Sequence, residues 1–441
     1  MTDSLLTEHW LTTLIGYNKL IVGLSGGLDS TVLLHLMAQQ PALHAKLQAV
    51  HIHHGLSVNA DAWLLHCEQC CKSLSVPLTV QKVQCDARSN IEEGARIARY
   101  QALSALINEN DALVLAHHAD DQAETLLLQL FRGAGIDGLA AMPSIRALSK
   151  GELLRPFLEH SRRTLEAYAH DHELSWVEDE SNQNHVFSRN YLRHQVMPLL
   201  QEKWPGIVGN LARSATHCQQ AKINLDSLAN LDIVGLSQQG QTLPLLSLRA
   251  LSRERMANVL RVWLRSNEVR RPETSILHRV IDDVILARCD AMPMITWDNV
   301  TVQRFQQYLH LMKQSLRPPL SSIEWPTFPS PLPLSADEAL HAIPTSNGLF
   351  VPRGSRVEIR FRQGGELFYW HGQTKQLKKL WQQWRIPPWK RAQIPLLYID
   401  DVLAAVVGFA ISDHYYSLVL ENTYTVCVVE KKRIVNEDIL A

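Results

Sequence analysis

Between residues 19 and 132, short apolar runs alternate with stretches of helical periodicity. "KLIVGLS" precedes a helix from Asp29, and "LQAVHIHH" (47–54) precedes a helical stretch at 59–73. "PLTVQKV" (77–83) precedes "EEGARIARYQALSALINE", and "ALVLAHH" (112–118) precedes "DDQAETLLLQLF". Such repetition predicts an α/β fold, a parallel sheet with helices on both faces. Ligands of these sheets bind beyond the carboxyl ends of the strands. Ser25, His53, His54, His117 and His118 all fall at such ends.

A chain of 441 residues exceeds one ordinary core and predicts two or three domains. Residues 1–215 form the α/β domain, and 221–316 read as a mainly helical module. A proline-rich linker is expected at 317–335, because that composition cannot build a helix. Residues 345–435 are β-rich, with alternating stretches such as "RVEIRFR". The apolar run "VLAAVVGFAI" (402–411) is too short to span a bilayer and reads as one buried strand. Seven unevenly spaced cysteines do not suggest a disulfide framework, and the amino terminus lacks a cationic secretory start. Both point to the cytoplasm, with no membrane partner. Oligomeric state is not legible.

The turn after the first strand is Ser25-Gly26-Gly27-Leu28-Asp29-Ser30. Backbone N–H groups at two glycines, set on a helix amino terminus, form an anion nest, and the two serines add hydroxyl donors. No G-x-x-x-x-G-K-[ST] loop occurs in the chain. A plain glycine turn capped by Asp29 is the structural alternative. A second cluster, "AHHADDQAET" (116–125), sets Asp120 and Asp121 four and three residues before Glu124, on one helical face. Acids there suit Mg²⁺ or an amine cation, or merely favour the helix dipole. Arg96 and Arg99 share another helical face, placed to clamp phosphate or to pair with the acids.

The complete string SGGLDS resembles the PP-loop of the ATP pyrophosphatases, whose fold is adenine nucleotide alpha hydrolase-like. Together with "HIHHGLS", "EGARIARY", "AHHADDQAET", "RGAGIDGLAAM", "RPF" (155–157), "DESN" (179–182) and "RNYLRHQVMP" (189–198), it resembles the tRNA(Ile)-lysidine synthetase family. The likeness runs through roughly the first 200 residues, and the helical middle and β-rich end resemble the two C-terminal domains of longer members. His53 stands where many members have Asn, and Ser57 where many have Arg. The resemblance implies ATP-dependent joining of free L-lysine to the wobble cytidine of tRNA(Ile) with a CAU anticodon, through an adenylated tRNA, releasing AMP and pyrophosphate. It implies that Ser25, Gly26, Gly27, Leu28, Asp29 and Ser30 hold ATP, with Asp29 orienting Mg²⁺. Asp121 and Glu124 match positions near the lysine and the target base, and Arg96 or Arg99 stabilises the adenylated cytidine. The lysine amine, with an ordinary pKa of about 10.4, must lose a proton before attack. His117, His118 or a carboxylate is the candidate acceptor.

Net charge is −1, yet residues 253–271 carry six arginines against two glutamates, and 353–391 carry ten Lys/Arg against two glutamates. Lys378, Lys379, Lys390 and Arg391 interleave with Trp370, Trp381, Trp384 and Trp389. This suits RNA, or a tryptophan core with a solvated rim. A non-catalytic RNA-binding protein is the plain alternative, disfavoured because the loop and the acidic motif are intact, and two catalytic rivals remain at this level. One is a PP-loop tRNA thiolase using Cys67, Cys70 and Cys71. The other is a metal phosphohydrolase built on His51, His53, His54, His117, His118, Asp120 and Asp121.

Overall fold

A computed structural model describes residues 5–53, 55, 59–83, 91–178, 180, 186–233, 240–270, 272–288, 291–313, 322–335, 338–418 and 422–430, with backbone only at 91–93, 95–97 and 430. His54, Ser57, Asp179, Ser181 and Asn182 lie outside the described residues, as does the side chain of Arg96. The chain divides into two compact units, 1–234 and 235–441.

The first unit is built on six strands: β1 (Lys19–Gly23), β2 (Leu47–His53), β3 (Leu78–Lys82), β4 (Asp111–Val114), β5 (Ile145–Leu148) and β6 (Gly151–Leu154). Their order is β3-β2-β1-β4-β6-β5, parallel except for the β5–β6 hairpin. Alternation along β1 explains its unbroken apolar run. Leu20 and Val22 pack with the helices Glu8–Ile15 and Leu28–Ala38, while Ile21 packs with Leu103, Ile107, Leu113 and Leu153 on the other face. Strands buried on both faces need no polar alternation. From β1 the chain adds β2 and β3 outward on one side, then returns to place β4 on the other. That reversal opens a crevice between the carboxyl ends of β1 and β4. SGGLDS leaves β1, and Ala116–Thr125 follows β4.

One continuous helix, Ile207–Ile233, crosses the expected boundary at 215–221, so the first unit extends to residue 234. In the second unit, helices Arg253–Ser266 and Thr274–Arg279 accompany a sheet in the order Thr242–Pro244, Tyr308–Lys313, Val300–Phe305, Met294–Trp297. The region read as mainly helical thus carries a four-stranded antiparallel sheet, announced by alternation in "VTVQRF" and "YLHLMK". Arg304, 2% exposed, donates to the Ala287 carbonyl at 2.8 Å, as does Arg249, tying the end of the helical segment to this sheet.

The second half of the expected linker is built into the β-rich part. Trp325 is 1% exposed and donates to the Ser330 carbonyl at 2.7 Å, and Leu332–Pro333 pairs with Glu338–Phe350. Proline removes ladder donors but still fits short edge strands, and buried Trp325 anchors the segment. "VLAAVVGFAI" is not one strand. Val402–Val406 and Ala410–Ile411 pair antiparallel, because Gly408, at φ +80°, reverses the chain. Among the described residues, no helix is long and apolar enough to cross a membrane.

Candidate active site

Among the described residues, Thr7, Ser161 and Ser252 each close a helix amino end by accepting from its first turn. Leu28–Ala38 has no such cap, and its N-cap is Gly27. The hydroxyls that might close it are used within the loop. Ser30 Oγ accepts from the Ser25 amide at 3.1 Å, lies 3.0 Å from Ser25 Oγ, and donates to the Gly27 carbonyl at 3.1 Å. These contacts set the loop's shape and leave the helix amino terminus for an anion. Gly26 has φ +85°, and a Cβ there would stand 3.0 Å from Val177 and 3.1 Å from Cys67 Sγ. Only glycine fits that position without strain.

Facing the loop is His118, 1% exposed, at the start of the helix Ala119–Phe131. Its Nε2 lies 3.6 Å from Asp29 Oδ2 and 3.4 Å from Asp121 Oδ2, and its Nδ1 is 3.5 Å from Asp120. Burial opposes its charged form, but the three carboxylates outweigh burial and raise its pKa to about 10. His118 is therefore an imidazolium joining the two motifs. Oδ1 of Asp29 is buried and accepts no hydrogen bond among the described residues.

Asp121 and Glu124 are held from above by the segment 188–203. Ala119, Ala123 and Leu127 repeat every four residues and pack against Leu192 and Met197. This contact lays "RNYLRH" across the acidic face of the helix. Glu124, 1% exposed, accepts from Arg189 Nε at 2.9 Å and from Arg193 at 2.6 and 2.9 Å. Asp121 accepts from Arg193 Nη2 at 2.8 Å and from the His118 amide at 3.2 Å. Burial alone would raise the Asp121 pKa, yet the charges of His118, Arg189, His117 and Arg193 bring it down to about 2. The cluster thus faces Asp29, Asp120, Asp121 and Glu124 with His118, Arg189 and Arg193, close to balanced charge.

His117 differs from its neighbour. Burial, with further help from the Arg155, Arg189 and Arg99 charges, lowers its pKa to about 3 against the pull of Asp121. Arg155, in "RPF", donates from Nε to His117 Nδ1 at 3.2 Å. Arg99 is exposed, with its guanidinium 5.8 Å from the Tyr100 ring centre.

The structure brings Asp29, His117, Asp121 and Glu124 to one crevice, and the charge of Arg99 acts on His117. Arg189, Arg193 and Arg155 were not singled out from sequence. The available signal was complementary spacing: two arginines four apart, to meet two acids three apart. His51 bonds the Leu24 carbonyl at 2.9 Å and His53 pairs with Asp61 at 3.1 Å. Among the described residues no three His, Cys, Asp or Glu side chains converge as metal ligands.

Cys67 and Cys71 are 0% and 2% exposed, and burial pushes both thiols up to about 12. Thiols so protonated are poor nucleophiles. Replacing Cys67 and Cys71 with alanine and Cys70 with serine should leave lysine incorporation within about threefold of the parent, allowing for lost core packing. Incorporation lost in a folded triple variant would return the cysteines to the chemistry.

In the second unit Trp381 is fully buried, and Trp370 and Trp384 pack against the same core. Trp389 contacts Phe305 and His310 edge-on, at 5.7 and 5.2 Å between ring centres. Trp381 thus belongs to the core and the other three are partly buried against their neighbours, whereas Lys378, Lys379 and Lys390 are exposed. In the other basic run, Arg253 pairs with Asp282.

Residues 5–200 match the family model described as a PP-loop domain. Residues 243–310 match the TilS substrate binding domain, and 357–420 the TilS substrate C-terminal domain. A tRNA(Ile)-lysidine synthase of Legionella pneumophila (strain Paris) is 52% identical over 418 residues, covering 95% of this chain and 97% of its own. That of Coxiella burnetii (strain RSA 493 / Nine Mile phase I) is 40% identical over 415 residues, covering 92% of each. Among solved structures, a U34-tRNA thiolase of Methanococcus maripaludis aligns with 46% of this chain and 73% of its own, at 16% identity and a TM-score of 0.40.

Proposed function

Since the chain belongs to the tRNA(Ile)-lysidine synthase family, an ATP-using ligase that forms lysidine on tRNA, we propose that the β1–β4 crevice is where free L-lysine is joined to the wobble cytidine of a CAU anticodon. The observation that carries the reading is the open-ended SGGLDS helix facing a buried cation and a paired acidic cluster across the switch point.

In this reading Ser25–Ser30 grip the phosphates that depart. The cytosine O2 attacks the α-phosphate, the bond to pyrophosphate breaks, and carbon 2 becomes activated. The lysine ε-amine then attacks carbon 2, and AMP leaves carrying the former carbonyl oxygen. A loop that receives a leaving group needs no lysine for γ-phosphoryl transfer. Asp29 fits Mg²⁺, which is normally held by one or two carboxylates together with substrate phosphates. Its buried Oδ1 accepts no hydrogen bond among the described residues, while Oδ2 stays against His118. When bound, the ion neutralises charge on the phosphates. Asp121 and Glu124, both held by Arg189 and Arg193, lie where the lysine amine is received. Arg99 or Arg96 neutralises the adenylated base. The reaction takes place in the cytoplasm, with the tRNA.

Labelled lysine, ATP and an unmodified CAU-anticodon isoleucine tRNA test the whole scheme. Label fixed in that tRNA, with stoichiometric AMP and pyrophosphate, is the expected result. Phosphate release without incorporation would overturn it.

Exposed Lys378, Lys379 and Lys390 are read as tRNA phosphate contacts. Changing all three to alanine should weaken tRNA binding about tenfold and lower the slope of log affinity against log salt by about 2–3. Measured by filter binding across a salt series, an unchanged slope would remove these lysines from the interface.

A further inference from the structure

Arg155 is 4% exposed and stands on the segment that follows β6, one strand away from the histidine pair. Its Nε donates to His117 Nδ1 at 3.2 Å, and its Nη1 donates to the Pro143 carbonyl at 2.8 Å. Arginine has donors and no acceptor, and it stays protonated in proteins. The ring nitrogen it faces must therefore offer a lone pair. A neutral imidazole that accepts at Nδ1 carries its proton on Nε2.

We propose that Arg155 is a positioning residue that fixes His117 in the neutral Nε2–H tautomer, so that His117 acts as a hydrogen-bond donor to a substrate oxygen and not as the acceptor of the lysine proton. The Pro143 carbonyl holds the guanidinium from its other end, so the fork cannot swing away from the ring. His117 is only partly buried, and no hydrogen bond from its Nε2 is found among the described residues. A fixed N–H is thus left for an oxygen acceptor: the cytosine carbonyl, or a phosphate oxygen of the adenylate. Burial and the surrounding arginine charges favour the same uncharged ring. The two adjacent histidines then divide their work by environment. His118, among carboxylates, is a fixed cation, and His117, among arginines, is a neutral donor.

The role given to His117 rests on lysidine formation in this crevice, whereas the tautomer is a property of the free protein. The test separates them. Imidazole ¹⁵N NMR is recorded on the full chain without substrates, His117 being assigned by loss of its signal in His117→Gln. The wild type should show a neutral ring with Nδ1 unprotonated and Nε2 protonated at neutral pH. Arg155→Met, which keeps the aliphatic bulk, should shift His117 toward the Nδ1–H form. It should also lower kcat for lysine incorporation about tenfold to a hundredfold, with KM for ATP and lysine within about twofold. Arg155→Lys, which keeps a cationic donor, should restore the tautomer and part of the rate. An imidazolium or Nδ1–H ring in the wild type overturns the proposal, as does an unchanged tautomer in folded Arg155→Met. The expected tautomers with unchanged kcat would retain the positioning but overturn the donor role.

Discussion

Asp29→Ala should reduce incorporation of labelled lysine into isoleucine tRNA by about a thousand-fold or more, a loss of about 4 kcal/mol in transition-state stabilisation. Asp29 occupies the first turn of the uncapped helix, with one oxygen against His118 and the other buried with no hydrogen bond among the described residues. Alanine removes both the ion's ligand and one of the carboxylates that keep His118 charged. The helix itself should survive, because alanine is the best helix former and the core side of this helix is untouched. Pyrophosphate release should fall with lysine incorporation, since the damage precedes the second step. Asp121→Ala should likewise abolish incorporation. Normal turnover in either folded variant would refute the assignment of the crevice.

Glu124→Gln should be the most destabilising conservative change in the first unit. Glu124 is 1% exposed and binds both Arg189 and Arg193, and the amide leaves two guanidiniums facing Asp121 alone. Removing one partner of a buried ionic network costs about 3–5 kcal/mol, or roughly 10 °C in melting temperature for a domain of this size. The diagnostic is the double variant Glu124→Leu with Arg193→Met. An apolar pair of similar volume should recover much of the loss, because Arg189 then keeps Asp121 as its partner and no second guanidinium is stranded. Differential scanning calorimetry decides it, and a single variant melting with the parent would mean that the clamp contributes nothing.

The same network gives the pH dependence its sign. Asp121 has its pKa lowered to about 2, so its stabilisation is full above about pH 4 and disappears as pH falls through 2. His118 is raised to about 10, so its contribution is full below about pH 6.5 and lost as pH rises through 10. The two describe one interaction and do not add. Stability from this cluster therefore holds across the neutral range.

The crevice was legible in sequence wherever the signal was local. SGGLDS carries its own geometry, since positive φ at Gly26 and the serine contacts lie within six residues. Strand alternation predicted the sheet and the strand ends on which the site stands. What escaped was tertiary. Arg189, Arg193 and Arg155 gain meaning only from Asp121, Glu124 and His117, more than thirty residues away in the chain. "VLAAVVGFAI" looked like one strand because an unbroken apolar run does not reveal a single glycine reversal. The proline-rich segment misled because composition outweighed one anchoring residue, Trp325.

The arginine clamp also sets a schedule for biosynthesis. Asp121 and Glu124 leave the ribosome well before Arg189 and Arg193 do. During that interval the helix Ala119–Phe131 cannot settle against the nascent sheet without enclosing carboxylates that lack their cations. The apolar stripe Ala119-Ala123-Leu127 also has no Leu192 or Met197 to cover it. The nucleotide loop, complete by residue 30, is thus made early, while the acceptor half of the crevice must wait for the segment that neutralises it. A polypeptide halted before residue 188 would carry the loop without the two arginines that cover the acidic helix.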